Sequence, residues 1–222
     1  MSTTRVTDNL IQVTRWRFVN AFLVREDDGL TLVDTTIGGG ADELIAAARG
    51  AGGDIRRVAL THGHGDHVGS LDALRQKLGN TVEVLMPELD ARILAGTDKK
   101  TRGTWPKITT VPDVRLTGGE RIGSLEVIPT PGHTPGHVSF LDTRDRTVIV
   151  GDTLTSIGGL AVSSHLYWRM PLAAMATWDK GKDLESAKAI RALDPATLVF
   201  GHGGPVRAPA AELDQAIARA SG

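Results

Sequence analysis

Three histidines and an aspartate lie within six residues of the chain, in the stretch VALTHGHGDHVGSLD over 58–72. His62 and His64 follow a short apolar run that predicts a strand, and residues two apart in an extended chain point to the same side. These two side chains could therefore share one metal ion. Asp66 and His67 begin the next predicted helix and could face a neighbouring ion. The stretch predicts a turn that contributes to a site for two metal ions.

A pair of ions needs more ligands than one turn supplies, and three later strands also end in a candidate ligand. LEVIPTPGH ends at His133, TVIVGD ends at Asp152 and TLVFGH ends at His202, each with a glycine beside the ligand. The chain contains no cysteine, which excludes thiolate metal sites, zinc fingers and disulfides. The pattern predicts four ligand-bearing turns that converge at one edge of a sheet sandwich.

The elements that must position these ligands are strands and helices in alternation. Runs over 9–35 predict a meander of antiparallel strands, with turns at Asn20 and over 26–29. Strands and helices then alternate, with a polar loop over 97–112 and one amphipathic helix over 173–193. Because this arrangement occurs in both halves and no linker divides them, we expect an α+β fold. It would have two mixed sheets packed together, helices outside, and a single domain over 1–222.

The composition narrows the kinds of partner. With 25 basic and 26 acidic residues the formal net charge is -1, so no global field attracts nucleic acid or an anionic membrane. The first residues lack the apolar segment of a secretory signal, and no run approaches the roughly 20 apolar residues of a membrane span. We expect a cytoplasmic protein that acts on a small molecule, without a nucleic-acid or membrane partner; the oligomeric state is not indicated.

The motifs HGHGDH, PGHTPGH, VGDT and FGH, in this order and spacing, resemble those of the metallo-β-lactamase superfamily over nearly the whole chain. The resemblance implies a four-layer αβ/βα sandwich. It also implies two ions that share seven ligands: His62, His64 and His133 on the first, Asp66, His67 and His202 on the second, and Asp152 between them. The implied cofactor is a pair of Zn²⁺ ions, although iron or manganese would accept the same ligands.

The chemistry that this resemblance implies is hydrolysis. Two ions about 3.5–4 Å apart make a bridging water acidic enough to ionise near neutral pH, and the hydroxide can attack a carbonyl or phosphoryl group. Asp66 could then pass a proton to the leaving group. Asp66 and Asp152 are therefore the candidate catalytic residues.

Differences from known branches of the superfamily narrow the reaction. True β-lactamases of this fold lack the bridging aspartate that Asp152 would supply. Glyoxalase II enzymes share the ligand set but append a helical glutathione-binding domain, and only 20 residues follow His202 here. Acyl-homoserine lactonases share the HTPGH context, but Thr153, Leu154 and Thr155 stand where their substrate-contacting tyrosine would be. The prediction is hydrolysis of an ester, thioester or lactone, and lactonase activity remains open.

Other activities stay open as alternatives. Persulfide dioxygenases resemble this pattern but use a single iron, which would make the chain an oxidoreductase. Flavodiiron proteins usually carry glutamate at the position of His64, so that branch is disfavoured. β-Lactamase, phosphodiesterase and nuclease activity are further options on the same fold, and the balanced charge disfavours a nuclease. A metal-binding module without catalysis is the least favoured alternative.

Several other residues could support the site. Asp34 ends a predicted strand near the same edge, where it could orient a ligand histidine or cap a turn. His137 is the second histidine of PGHTPGH, and we expect it to support the site through its neighbours and not to bind metal.

Contacts with substrate are harder to predict. Four residues could line the mouth of the site or simply pack in the interior: Trp105, His165, Tyr167 and Trp168. Four basic residues of the polar loop could attract an anionic group or merely face solvent: Lys99, Lys100, Arg102 and Lys107.

Overall fold

The computed structural model describes residues 1–166 and 171–222. The chain divides into two compact units, of which the first comprises Met1–Lys99 with Trp105–Leu116 and the second Lys100–Thr104 with Thr117–Gly222. Each unit contains one mixed sheet of six or seven strands and several helices. The α+β class with two mixed sheets is therefore confirmed, and the single domain over 1–222 stays a prediction.

The first unit contains seven strands in one sheet, ordered as they occur in the chain. They are β1 (Ser2–Arg5), β2 (Leu10–Arg15), β3 (Val19–Glu26), β4 (Gly29–Val33), β5 (Ile55–Ala59), β6 (Glu83–Pro87) and β7 (Val114–Leu116). Strands β1 to β4 pair antiparallel, as the meander predicts, and β4 to β7 pair parallel. Because β4 and β5 are parallel neighbours, the residues that follow them meet at one edge of the sheet.

Four helices accompany this sheet: α1 (Ala41–Gly50), α2 (Gly65–Val68), α3 (Leu71–Leu78) and α4 (Glu88–Leu94). Helix α1 follows the predicted glycine break and carries Asp42 and Glu43 in its first turn, where acidic side chains favour the helix dipole. Its buried face, with Leu44 fully enclosed, packs in a core that includes Leu32 and Val58. This core holds the end of β5, from which the HGHGDH segment emerges.

The second unit contains a six-stranded sheet in the order β15-β14-β11-β10-β9-β8 and a two-stranded sheet of β12 and β13. The strands are β8 (Arg121–Ile122), β9 (Leu125–Pro129), β10 (Val138–Asp142), β11 (Thr147–Ile149), β12 (Leu154–Thr155), β13 (Ala161–Val162), β14 (Thr197–Val199) and β15 (Val206–Arg207). The helices are α5 (Pro171–Ala176), α6 (Lys180–Ala192) and α7 (Ala210–Ser221). Strands β11 and β14 pair parallel, so the segments after them also share an edge.

The predicted turn at Asn20 is wrong. Asn20 lies inside β3, opposite Thr14, and its buried side-chain oxygen accepts hydrogen bonds from Gln12 Nε2 at 3.0 Å and Thr14 Oγ1 at 2.8 Å. The turn lies earlier, where Trp16 and Arg17 adopt positive φ angles of 50° and 70°. A cluster of polar side chains that satisfy one another allows asparagine inside the strand, and single-residue turn propensity does not register such partners.

The single helix predicted over 173–193 is also wrong, because α5 and α6 are separated by residues 177–179. The side chain of Asp179 caps α6 by accepting a hydrogen bond from the Lys182 amide. The amides of Trp178 and Asp179 donate to the carbonyls of His133 and Gly132, at 3.0 and 2.9 Å. The residues between the two helices therefore hold the backbone of the loop that contains His133.

Two further observations complete the fold. The polar loop over 97–112, all of which the structure describes, contains no helix or strand, as predicted. Among the residues that the structure describes, no helix has both the length and the apolar character needed to cross a membrane.

Candidate metal centre

The first unit brings four of the predicted ligands together after β5. The backbone is still extended at His64 (φ −71°, ψ 152°), and α2 begins at the next residue. The ligand atoms of His62 and His64 lie within 4.8 Å of each other, and so do those of Asp66 and His67. The three histidines are buried, whereas the Asp66 side chain is 32% exposed. Asp66 is thus the one member of this group that reaches solvent.

One buried carboxylate holds two of these histidines. Asp34, which follows β4, places Oδ2 at 2.8 Å from His67 Nδ1 and at 2.8 Å from the Thr61 hydroxyl. The Thr61 hydroxyl donates to Asp34, so at 3.0 Å it can accept the proton on His62 Nδ1. Both rings are therefore fixed through Nδ1, and Nε2 is the nitrogen that each would offer to a metal.

The turn after Asp34 also holds the backbone of His67. The Thr35 amide and hydroxyl donate to the His67 carbonyl at 2.6 and 2.8 Å. Asp34 and Thr36 have positive φ angles of 61° and 55°. Left-handed conformations of such residues cost roughly 1–3 kcal/mol and persist where the surroundings require them. The strained turn encloses His67 and keeps its ring in one orientation.

The second unit places a carboxylate between two further predicted ligands. Asp152 follows β11 and His202 follows the parallel neighbour β14, so both lie at the same edge of the sheet. The Oδ2 atom of Asp152 lies 3.2 Å from His202 Nε2 and 3.6 Å from His133 Nε2. All three side chains are buried. One carboxylate oxygen therefore lies near the Nε2 atoms of two histidines.

The other nitrogen of His133 is also held in place. Thr177, in the break between α5 and α6, donates its hydroxyl to the Ala173 carbonyl and can accept from His133 Nδ1 at 3.1 Å. As in the first unit, the ring is fixed through Nδ1 and would offer Nε2 to a metal.

His137 uses both ring nitrogens within the second unit. Its Nε2 accepts the amide proton of Asp152 at 3.0 Å, so the ring proton resides on Nδ1, which lies 2.9 Å from the Thr130 hydroxyl. His137 therefore holds the backbone of Asp152, and its supporting role at a metal site stays a prediction.

A second buried carboxyl lies beneath the loop of His133. Asp183 is fully buried in α6; its Oδ2 accepts from the Ser164 amide at 2.8 Å, and its Oδ1 has no hydrogen-bond partner within the described residues. Gly132 packs so closely that a Cβ atom there would lie 2.2 Å from the Asp183 amide nitrogen. Burial, reinforced by the charges of Asp152 and Asp179, raises the pKa of Asp183 to about 8.

We expect this carboxyl to make stability depend on pH. The pKa of Asp183 is about 8 in the folded chain against 3.8 as its ordinary value, so the carboxyl favours folding below pH 4. That contribution is lost as the pH rises through 8, and each pKa unit is worth about 1.4 kcal/mol. In chelator-treated protein, the free energy of unfolding should fall between pH 5 and pH 9 by several kcal/mol more than in Asp183→Asn. Parallel pH profiles for the two proteins would contradict this.

The predicted substrate contacts fall in different surroundings. Trp105 is 7% exposed and packs against His64, with ring centroids 5.1 Å apart. His165 is half-buried, and Tyr167 and Trp168 lie outside the described residues. Four basic residues of the loop are exposed: Lys99, Lys100, Arg102 and Lys107. A role in substrate binding stays a prediction for all of them.

Sequence reasoning missed several residues that hold the predicted ligands. Thr61 directly precedes His62 and could have been noticed. Thr35 directly follows Asp34, but it belongs to no sequence motif that would indicate a role in the site. Thr177 and Asp90 are far from the ligands in sequence, and no local spacing points to them. Asp90 accepts the amide proton of Gly63, between His62 and His64, at 2.8 Å.

Comparisons with known proteins identify the family of this chain. The model of the Metallo-beta-lactamase superfamily matches residues 14–202. YobT of Bacillus subtilis (strain 168), described as uncharacterized, is 43% identical over 211 residues, which cover 91% of this chain and 90% of YobT. A hydroxyacylglutathione hydrolase of Rhodospirillum rubrum is 29% identical over 198 residues, covering 89% of this chain. The match covers 63% of that enzyme, so the chain spans less than two thirds of its length.

Solved structures show the same fold. A metallo-beta-lactamase from Pontibacter korlensis superposes with a TM-score of 0.74 at 20% identity, covering 99% of this chain and 98% of the other. TTHA1623, solved in a di-iron-bound form, has a TM-score of 0.67 at 28% identity, covering 89% of this chain and 93% of the other. The fold predicted from the motifs is thereby confirmed. The chain belongs to the metallo-beta-lactamase superfamily.

Proposed function

We propose that the chain is a metal-dependent hydrolase, which uses two metal ions to cleave an ester, thioester or lactone bond of a small molecule. We assign His62, His64 and His133 to one ion, and Asp66, His67 and His202 to the other, with Asp152 shared. The observation that carries the proposal is the position of Asp152 Oδ2, 3.6 Å from His133 Nε2 and 3.2 Å from His202 Nε2. A carboxylate oxygen near two histidines that we assign to different ions would be able to bind both ions, which supports the proposal.

The side chains fit such ions in type and in support. All the proposed ligands are imidazoles or carboxylates, which suit zinc and also iron or manganese. His62, His67 and His133 are each held at Nδ1 by an oxygen of Thr61, Asp34 or Thr177. Metal-binding histidines usually have such a partner on the second nitrogen, because it fixes the ring and raises its basicity. We propose zinc, with iron as the alternative that the di-iron form of TTHA1623 supports.

The chain's own residues would orient the reactants and move protons. When bound, a pair of divalent ions makes water acidic enough to act as a nucleophile near neutral pH and polarises the bond to be cleaved. Asp66 is a partly exposed carboxylate beside His67, so it can transfer a proton to a leaving group and exchange it with solvent. Asp152 is held by the hydrogen bond from its amide to His137, which fixes where its carboxylate points.

The substrate class follows from similarity and charge. The relationship to a hydroxyacylglutathione hydrolase supports a thioester, but this chain spans only 63% of that enzyme. The nearly balanced charge does not favour a polyanionic substrate. We therefore propose a small acyl ester, thioester or lactone, and we retain a cytoplasmic location as a prediction from sequence.

A chelation and substrate experiment tests this function. Dialysis against a chelator should abolish hydrolysis, and two equivalents of Zn²⁺ per chain should restore it, because the bound ions supply the nucleophile. The purified protein would be assayed with a panel of thioesters, lactones, a phosphodiester, a cephalosporin and a persulfide. Hydrolysis of a thioester or lactone that depends on two ions supports the proposal. One iron per chain with oxygen uptake on the persulfide would overturn it, and so would a fast reaction confined to the cephalosporin or the phosphodiester.

A further inference from the structure

The peptide between the two histidines of the HGH segment is fixed by a buried carboxylate. Asp90, in the first turn of α4, is fully buried, and its Oδ2 accepts the Gly63 amide proton at 2.8 Å. Gly63 stands between His62 and His64, so the orientation of its peptide affects the direction of both side chains. The Asp90 carboxylate thus restrains a backbone segment that would otherwise have the freedom of glycine.

An aromatic ring also packs against the same segment. A Cβ atom on Gly63 would lie 2.5 Å from Cζ3 of Trp105 and 3.1 Å from Cδ1 of Leu94, so glycine is required for the ring to approach. The Trp105 ring meets the His64 ring edge to face, with centroids 5.1 Å apart and planes at 74°. Such aromatic pairs are worth about 0.5–1.5 kcal/mol beyond their buried area. Trp105 therefore favours one orientation of His64.

Trp105 belongs to the polar loop over 97–112, most of which is exposed. The C-terminal part of this loop is tied to α3, where the carboxylate of Asp72 accepts the amide protons of Thr109 and Thr110, each at 2.8 Å. The Thr110 hydroxyl also donates to Asp72 at 2.6 Å. The loop is thus held at Trp105, next to a proposed ligand histidine, and again at Thr109 and Thr110.

We propose that Asp90 and Trp105 are positioning residues that set the affinity of the metal ion bound by His62 and His64. This inference rests on the proposed two-metal site. Ligands held in their binding orientation before the ion arrives lose less conformational freedom on binding, so affinity is higher. A simple packing role predicts a different outcome: the variants would be less stable, but their metal affinities would be unchanged.

The test is a Co²⁺ titration of the full chain, followed by visible absorption and competition with a chelator. Asp90→Ala and Trp105→Ala should each lower the affinity for one of the two ions by ~10–100-fold, which is the usual effect of removing a residue that supports a ligand. The affinity for the second ion should stay near the wild-type value. Asp90→Asn retains an oxygen that can accept from Gly63, and Trp105→Phe retains a ring beside His64, so both should recover much of the lost affinity. Trp16→Ala, which removes a tryptophan that is 60% exposed, is the matched control and should bind like wild type.

The thermal midpoint of the chelator-treated proteins separates positioning from folding. Wild-type affinity for both ions in the alanine variants would overturn the inference, whatever their stability. If an alanine variant does not fold, Asp90→Asn and Trp105→Phe decide: an intermediate affinity for one ion supports positioning, and unchanged affinity contradicts it. The wild-type protein is titrated in the same experiment. If it binds two ions and the variants bind them with the same affinities, only this inference is rejected. Failure of the wild type to bind two ions rejects both it and the proposed function.

Discussion

Replacing Asp152 with alanine should lower turnover by orders of magnitude and weaken metal binding. The Oδ2 atom of this residue lies within 3.6 Å of the Nε2 atoms of both His133 and His202. Removing it deletes the one ligand that we assign to both ions and leaves the remaining ligands without their shared negative charge. Steady-state kinetics and elemental analysis of the dialysed variant measure the two effects.

A matched control separates this effect from a general loss of charge. Glu185 is an exposed carboxylate of α6 whose oxygen pairs with Lys188 at 2.7 Å, so Glu185→Ala should retain wild-type turnover and metal content. The Asp152 variant should still fold, because its backbone amide keeps the hydrogen bond to His137. Turnover and metal content in Asp152→Ala equal to those of the control would contradict the assignment of this residue.

The variant Asp34→Asn should lose metal affinity by ~10–100-fold, the range expected when a residue that supports ligands is changed. Asp34 accepts from Thr61 and from His67 Nδ1, and Thr61 in turn holds His62. Asparagine tolerates the φ angle of 61° at this position, but it replaces one accepting oxygen with a donor. Because these donors are buried, we also expect a loss of about 1–3 kcal/mol in the free energy of unfolding.

Metal titration and denaturant unfolding measure both quantities, with Asp8→Asn as the control because the Asp8 side chain is 93% exposed. The control should match wild type in each experiment. If Asp34→Asn behaved like Asp8→Asn, Asp34 would have no part in orienting the histidines, and the network through Thr61 would be only structural.

Much of the fold could be predicted because strong local patterns determine it. The alternating apolar and polar residues of β2 to β4 predict strands, and the acidic first turn of α1 predicts the start of a helix. Neither prediction depends on residues that are distant in sequence. The failures occurred where distant partners decide. Asn20 is stabilised inside β3 by Gln12, and the break between α5 and α6 is stabilised by the carbonyls of Gly132 and His133.

The candidate ligands could be picked out from the sequence, because they lie in turns that follow apolar strands and contain glycine. Their supports could not, with the exception of Asp34 and His137. Asp90 and Thr177 lie 27 and 44 positions from the residues that they hold, Gly63 and His133, and their own neighbours carry no pattern. Hydrogen bonds between residues so far apart in sequence depend on the completed fold, so composition and spacing do not reveal them.

The central claim is that seven residues of this chain bind two metal ions. Its most direct test is a crystal structure of the Zn²⁺-loaded protein with anomalous difference maps recorded at the zinc edge. We predict two peaks per chain, one about 2.0–2.1 Å from nitrogen atoms of His62, His64 and His133. The other should contact Asp66, His67 and His202, with Asp152 Oδ2 close to both. A map with a single peak, or with peaks that Asp152 and His202 do not contact, would contradict the account.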